Sequence, residues 1–127
     1  MTFAGVIETH LEYFLGTDRN YMFTVYTSDA KTTIRDVTGY TTEFMVKRRK
    51  TDADSSALLT LSGTVSGTFN ASPSVNTQVI TVTLVDTATD TEIVEGLAHW
   101  ELKRTDAGAE APLAFGTITF KRAVHVA

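Results

Sequence analysis

The 127-residue chain contains no cysteine. Disulfides, thiolate metal sites and a cysteine nucleophile are therefore excluded, and the fold rests on packing and hydrogen bonds alone. The opening Met1-Thr2-Phe3-Ala4-Gly5 has no basic leader and no long apolar stretch, so neither a signal peptide nor a transmembrane segment is expected. No segment carries an i, i+3, i+4, i+7 apolar stripe longer than about ten residues, which removes the amphipathic helix as a building block. There is no linker rich in Pro, Gly or Ser and no internal repeat. An excess of positive charge is also missing. The net charge is −4 and the pI is near 5.2. That argues against a general nucleic-acid binder, which needs a dominant positive field to displace counterions.

What is present is a β-sheet vocabulary. Threonine is the commonest residue, and Val, Ile, Phe and Tyr are plentiful. These side chains suit a pleated, half-buried surface. With 43% hydrophobic residues the chain is ordinary for a globular protein, and a chain of this size buries roughly two-thirds of its unfolded surface. Period-two alternation predicts strands over 20–27, 40–47, 57–61, 77–85, 97–103 and 115–124, with a further short one within 63–70. Residues 6–14 read as an extended but irregular lead-in. Turns are expected at Gly16-Thr17-Asp18, Ser28-Asp29-Ala30-Lys31, Asp36-Val37-Thr38-Gly39 and Asp106-Ala107-Gly108, and one helical turn at Asp86–Asp90 capped by Asp86. The expected fold is all-β: an antiparallel two-sheet sandwich of about seven to eight strands, with a small barrel as the second choice. The expected organisation is an N-terminal arm over 1–15 and one sandwich domain over 16–127.

The order of these signatures carries more than each alone. Gly16-Thr17-Asp18 precedes Met22-Phe23-Thr24-Val25. Asp36-Val37-Thr38-Gly39-Tyr40 and Phe44-Met45-Val46-Lys47-Arg48 follow. Val79–Leu84 leads into Asp86-Thr87-Ala88, Gly96 precedes Ala98-His99-Trp100-Glu101-Leu102, and Asp106 and Gly108 precede Gly116-Thr117-Ile118-Thr119-Phe120. Over roughly residues 15–122 this series resembles the small immunoglobulin-like domains of tailed-phage virions, above all the N-terminal domain of the phage baseplate upper protein family. The resemblance implies an immunoglobulin-like sandwich without enzymatic activity or cofactor. It implies attachment to other virion proteins in several copies of a symmetric assembly and localisation in a virion assembled in the host cytoplasm; no membrane partner is expected, and the charge balance argues against nucleic acid.

Candidate chemistry is sparse. His10, His99 and His125 lie on separate segments with no second ligand at i+2 or i+4, so no metal site is expected. Asp86, Asp90 and Glu92 lack the spacing and central glycine of a calcium loop. Asp52 and Asp54 have an i, i+2 spacing, yet solvated turn acids are the default. No Gly-x-Ser-x-Gly elbow or phosphate-binding glycine loop occurs, so no catalytic residue is nominated. The sharpest charge feature is Lys47-Arg48-Arg49-Lys50. Four cations ending a strand cannot be buried unpaired. They serve either as contact with an acidic neighbour protein or packaged nucleic acid, or as solubility and edge protection. Lys103-Arg104 and Lys121-Arg122 also close strands, which raises the possibility of one basic patch at one end of the sandwich. The apolar N-terminal segment supplies the other candidates. Phe3, Ile7, Leu11 and Phe14 are nominated with Lys47, Arg48, Arg49 and Lys50 as partner-binding residues. A receptor- or carbohydrate-binding module is the alternative. It would want aromatic platforms on loops 28–36, 50–57 and 105–112, which hold none.

Overall fold

The computed structural model describes residues 7–27, 30–85, 93 and 95–122. Eight strands run in order: β1 (Ile7–Leu15), β2 (Arg19–Phe23), β3 (Thr42–Lys47), β4 (Leu59–Ser62), β5 (Thr64–Ser66), β6 (Val79–Leu84), β7 (Gly96–Arg104) and β8 (Ala111–Arg122). A 3-10 turn at Asp54–Ser56 interrupts the polar loop after β3. The strands form a five-stranded sheet, β1-β8-β7-β3-β4, and a three-stranded sheet, β2-β6-β5. The protein is a β-sandwich. Among the described residues no helix is long and apolar enough to cross a membrane.

The alternation in sequence becomes the inner face of each sheet. Phe44 and Val46 of β3, Ile80, Val82 and Leu84 of β6, and Ala98, Trp100 and Leu102 of β7 are buried. Their sequence neighbours point outward, as the period of a strand requires. Phe23 of β2 joins the two layers. Its ring centre lies 5.3 Å from Trp100 and 6.4 Å from Phe44, and Phe44 stacks on Trp100 at 5.5 Å. Such pairs add about 0.5–1.5 kcal/mol each beyond the area they bury. The indole Nε1 donates to the Thr117 carbonyl at 3.1 Å, so the ring's polar atom is satisfied inside the core.

Two expectations change. The stretch read as an irregular lead-in is, over Ile7–Leu15, a full strand of the larger sheet. Its pairing with β8 is parallel, from Ile7 opposite Ala114 to Leu15 opposite Arg122, so that sheet is mixed rather than wholly antiparallel. The physical reason is the corner at Gly16, whose φ of 79° suits glycine. There the chain leaves one sheet and enters the other as β2. The Tyr13 hydroxyl donates to the Thr17 carbonyl and the Thr17 hydroxyl to the Phe14 carbonyl, which fixes the corner. Tyr13 and Leu15 thereby enter the core, at 0% and 1% exposure. The first predicted strand is correspondingly shorter, and β8 begins at Ala111 rather than at residue 115.

Phe3, His125, the turn at Asp86–Asp90 and Glu92 lie outside the described residues, as do Ser28 and Asp29 of one predicted turn.

Candidate attachment surface

Of the nominated residues, Lys47 and Phe14 lie on the outer face of the five-stranded sheet, on different rows, while Leu11 faces the core. Strand register sets the rows of that face. His10, Thr117, His99 and Lys47 follow one another across β1, β8, β7 and β3. The neighbouring row is Glu8, Phe115, Glu101, Met45 and, on β4, Thr60. A shallow groove of about 440 Å³ runs over this face, with Met45 and Phe115 among its lining and Lys47, Lys50, Glu43 and Lys103 around them. The face mixes both signs of charge with apolar side chains.

The four cations after β3 are drawn apart. Lys47 bonds the Asp54 carboxylate at 2.5 Å, and that contact holds Asp54 below the usual carboxylate range. The Arg48 guanidinium donates to the Leu97 carbonyl at 2.9 Å, tying the loop to the start of β7. The Arg49 main-chain N–H donates to Asp52 at 3.0 Å, while the side chains of Arg49 and Lys50 face solvent. Asp52 and Asp54, the i, i+2 acids, thus fold the loop. Among the described residues no group of three or more His, Asp or Glu side chains comes together as a metal site.

The three basic strand ends do not form one patch. Lys121 and Arg122 lie toward the same end of the sheet as Lys47–Lys50. Arg104 pairs with Thr42, at the opposite end of β3. The reason is strand direction: β7 runs antiparallel to both β3 and β8. Acids also neutralise these cations. Lys103 meets Glu110, Arg104 meets Asp106, Lys121 meets Glu12 and Arg122 meets Glu95. Exposed pairs of this kind add at most about 1 kcal/mol each, but they cancel the local field.

The N-terminal candidates divide between the two sides of β1. Leu11 faces inward and packs against the core. Ile7 opens the strand opposite Ala114. Phe14 points outward at 48% exposure, with the Lys121 ammonium 6.0 Å from its ring. Leu97 and Met22 are also exposed apolar residues, and Met22 lies on the other sheet. His10 sits between two hydroxyls, Thr117 at 2.6 Å and Thr119 at 3.1 Å. The Nδ1 atom of His99 is buried without a hydrogen-bond partner.

Sequence reasoning missed one polar residue that organises a turn. Gln78 is 4% exposed. Its oxygen accepts the Val37 N–H at 3.0 Å, and its nitrogen donates to Asp36 and the Thr38 hydroxyl. The Thr38 hydroxyl and N–H also hold Asp36 below the usual carboxylate range. At the far end of the sheet the Arg104 guanidinium lies 3.8 Å above the Tyr40 ring and donates to Asp106 at 2.8 Å. Asp106 also accepts the Thr41 N–H, and its carboxyl is lowered to about 2, chiefly by Arg104 and then by Thr41. The signal available for Gln78 was a polar residue near the start of the strand expected over 77–85, which by itself is unremarkable.

No protein family, curated protein or solved structure matches this chain.

Proposed function

We propose that this protein is a non-enzymatic structural component of a tailed-phage particle, an immunoglobulin-like domain that attaches to other virion proteins. The observation that carries the reading is strand order. In this reading β8-β7-β3 correspond to the G-F-C strands of an immunoglobulin sandwich, and β2-β6-β5 to B-E-D, an order that supports it. β4 extends the first sheet, as an added strand does in variable-type domains. This order agrees with the ordered turn signatures that resemble the phage baseplate upper protein family. The roles of the acids support a structural part. Asp36, Asp54 and Asp106 each hold a turn or loop in shape and have lowered pKa values. A general acid at neutral pH requires the opposite shift. The mixed outer face of the larger sheet, with Phe14, Leu97 and the Lys50 loop exposed, is the attachment surface in this reading.

The test is composition of the particle. Tailed-phage particles purified from cells that encode this chain are analysed by quantitative mass spectrometry and labelled with an antibody raised against it. A fixed copy number per particle, with label at one location, is the expected result. Absence of the chain from intact particles would overturn the proposal.

A further inference from the structure

Among the described residues, the outer edge of β1 is closed at one end and open at the other. The main chain of Thr9 faces β8, because a Cβ added at Gly116 would strike the Thr9 carbonyl. The main-chain groups of Glu8, His10, Glu12 and Phe14 therefore point away from β8. The Tyr21 hydroxyl donates to the Glu12 carbonyl, with the Arg19 guanidinium at 3.5 Å from the same oxygen. The Thr17 hydroxyl donates to the Phe14 carbonyl at 2.6 Å. Among the described residues no loop, turn or side-chain hydrogen bond reaches the N–H or C=O of Glu8 or His10. An open row of strand groups is a template for another strand, and folded proteins generally blunt or use it.

We infer that this open stretch pairs, antiparallel, with the same stretch of a second copy, with Thr9 on the two-fold axis. Register decides the occupant. Centring on Thr9 sets Glu8 opposite His10 of the second copy and His10 opposite its Glu8. The four open groups on each chain then close in four reciprocal hydrogen bonds. Both unlike pairs fall on the outer face, where opposite partners favour pairing. Centring on His10 would set Glu8 against Glu12, bringing like charges together and meeting a carbonyl already taken by Tyr21. Centring on Glu8 would oppose two carboxylates. The Thr9 register is thus selected by charge and by the caps together, and the caps stop the ladder at Glu12. The result is a continuous ten-stranded sheet across an isologous interface. So short a ladder buries less than the roughly 1,200 Å² of a standard interface. Association is weak in free solution and strengthens where copies are held side by side. The inference stands whether or not the protein belongs to a virion.

The experiment exploits the absence of cysteine. Thr9→Cys places one thiol on the axis, where facing Cα atoms of a non-hydrogen-bonded pair are about 4.5 Å apart and within disulfide reach. Glu12→Cys puts the two thiols some six residues apart along the strands, about 20 Å. Under mild oxidation Thr9→Cys is expected to form the covalent dimer and Glu12→Cys to stay monomeric. In parallel, sedimentation velocity of the unaltered protein up to millimolar concentration should show a reversible dimer. His10→Glu, which opposes two carboxylates in both pairs, should weaken it about tenfold. The exchange E8K/H10E should restore it. A strict monomer, cross-linking no faster at position 9 than at 12, or a double exchange that fails to recover the dimer would each overturn the inference.

Discussion

Replacing Gly116 by alanine tests how β1 is held. A Cβ at this position meets the Thr9 carbonyl, a backbone atom with no rotamer through which to move aside. Either β1 shifts along its whole length or its first half leaves β8. Releasing the entire strand would expose Tyr13 and Leu15, at about 1.5–3 kcal/mol each, or about 3–6 kcal/mol together. Releasing residues 7–11 sacrifices a few ladder bonds, each about 1 kcal/mol net, and the half-buried Leu11. The cheaper route wins, so Gly116→Ala should destabilise the domain by about 2–3 kcal/mol, within the range for overpacking. Tyr13 and Leu15 should stay docked. The assay is denaturant unfolding followed by the single tryptophan, Trp100, together with amide hydrogen exchange along β1. Protection should fall over residues 7–11 and persist over 13–15. Gly108→Ala is the control. It has a φ of 79° and open space around the added Cβ, so it should cost about 1 kcal/mol from backbone strain alone and leave β1 exchange unchanged. A Gly116→Ala protein within about 0.5 kcal/mol of the parent, with β1 protection intact, would refute the reasoning.

Three further outcomes follow from buried or paired polar groups. Gln78→Leu should cost about 1–3 kcal/mol in urea unfolding, because it strands the Val37 N–H and loosens the 36–39 turn; an unchanged midpoint would show that the turn holds itself. Thr42→Val should be neutral or stabilising by about 1 kcal/mol, since the Thr42 hydroxyl is buried with no partner, and a clear loss of stability would contradict that assignment. The Asp106 carboxyl sits at about 2 in the folded chain against 3.8 ordinarily. Its contribution is therefore complete above about pH 4 and disappears as pH falls toward 2. Asp106→Asn should flatten that part of the acid-stability profile measured by thermal melting, most clearly at low salt, and superimposable profiles would rule the Arg104–Asp106 contact out as a source of stability.

The inner faces were legible because period two is a local property. Phe44 with Val46, Ile80 with Val82 and Leu84, and Trp100 with Leu102 recur every second residue, mostly between polar neighbours, and each lies in the core as its pattern requires. The turn at Asp36–Gly39 was legible for the same reason: Asp36 bonds the main chain two residues on, and Gly39 takes a φ of 79°. β1 was harder to read. Its inward residues are Thr9, Leu11, Tyr13 and Leu15 and its outward ones Glu8, His10, Glu12 and Phe14, so one outward aromatic blurs the alternation. The candidate surface was legible only as a set of residue types.

Sequence by itself determined that this chain is all-β, with a two-sheet sandwich ahead of a small barrel, and which residues of most strands share a face, because alternation and turn chemistry act over a few residues. Only the tertiary structure decided which strands are neighbours. That placed β1 parallel to β8, carried Arg104 to the end opposite Lys47, and set an acid beside many of the exposed cations. These are long-range pairings, fixed when two sheets close over one core, and no local pattern encodes them. The N-terminal segment, apolar enough in sequence to suggest an attachment arm, thereby became, over Ile7–Leu15, the edge strand of the larger sheet.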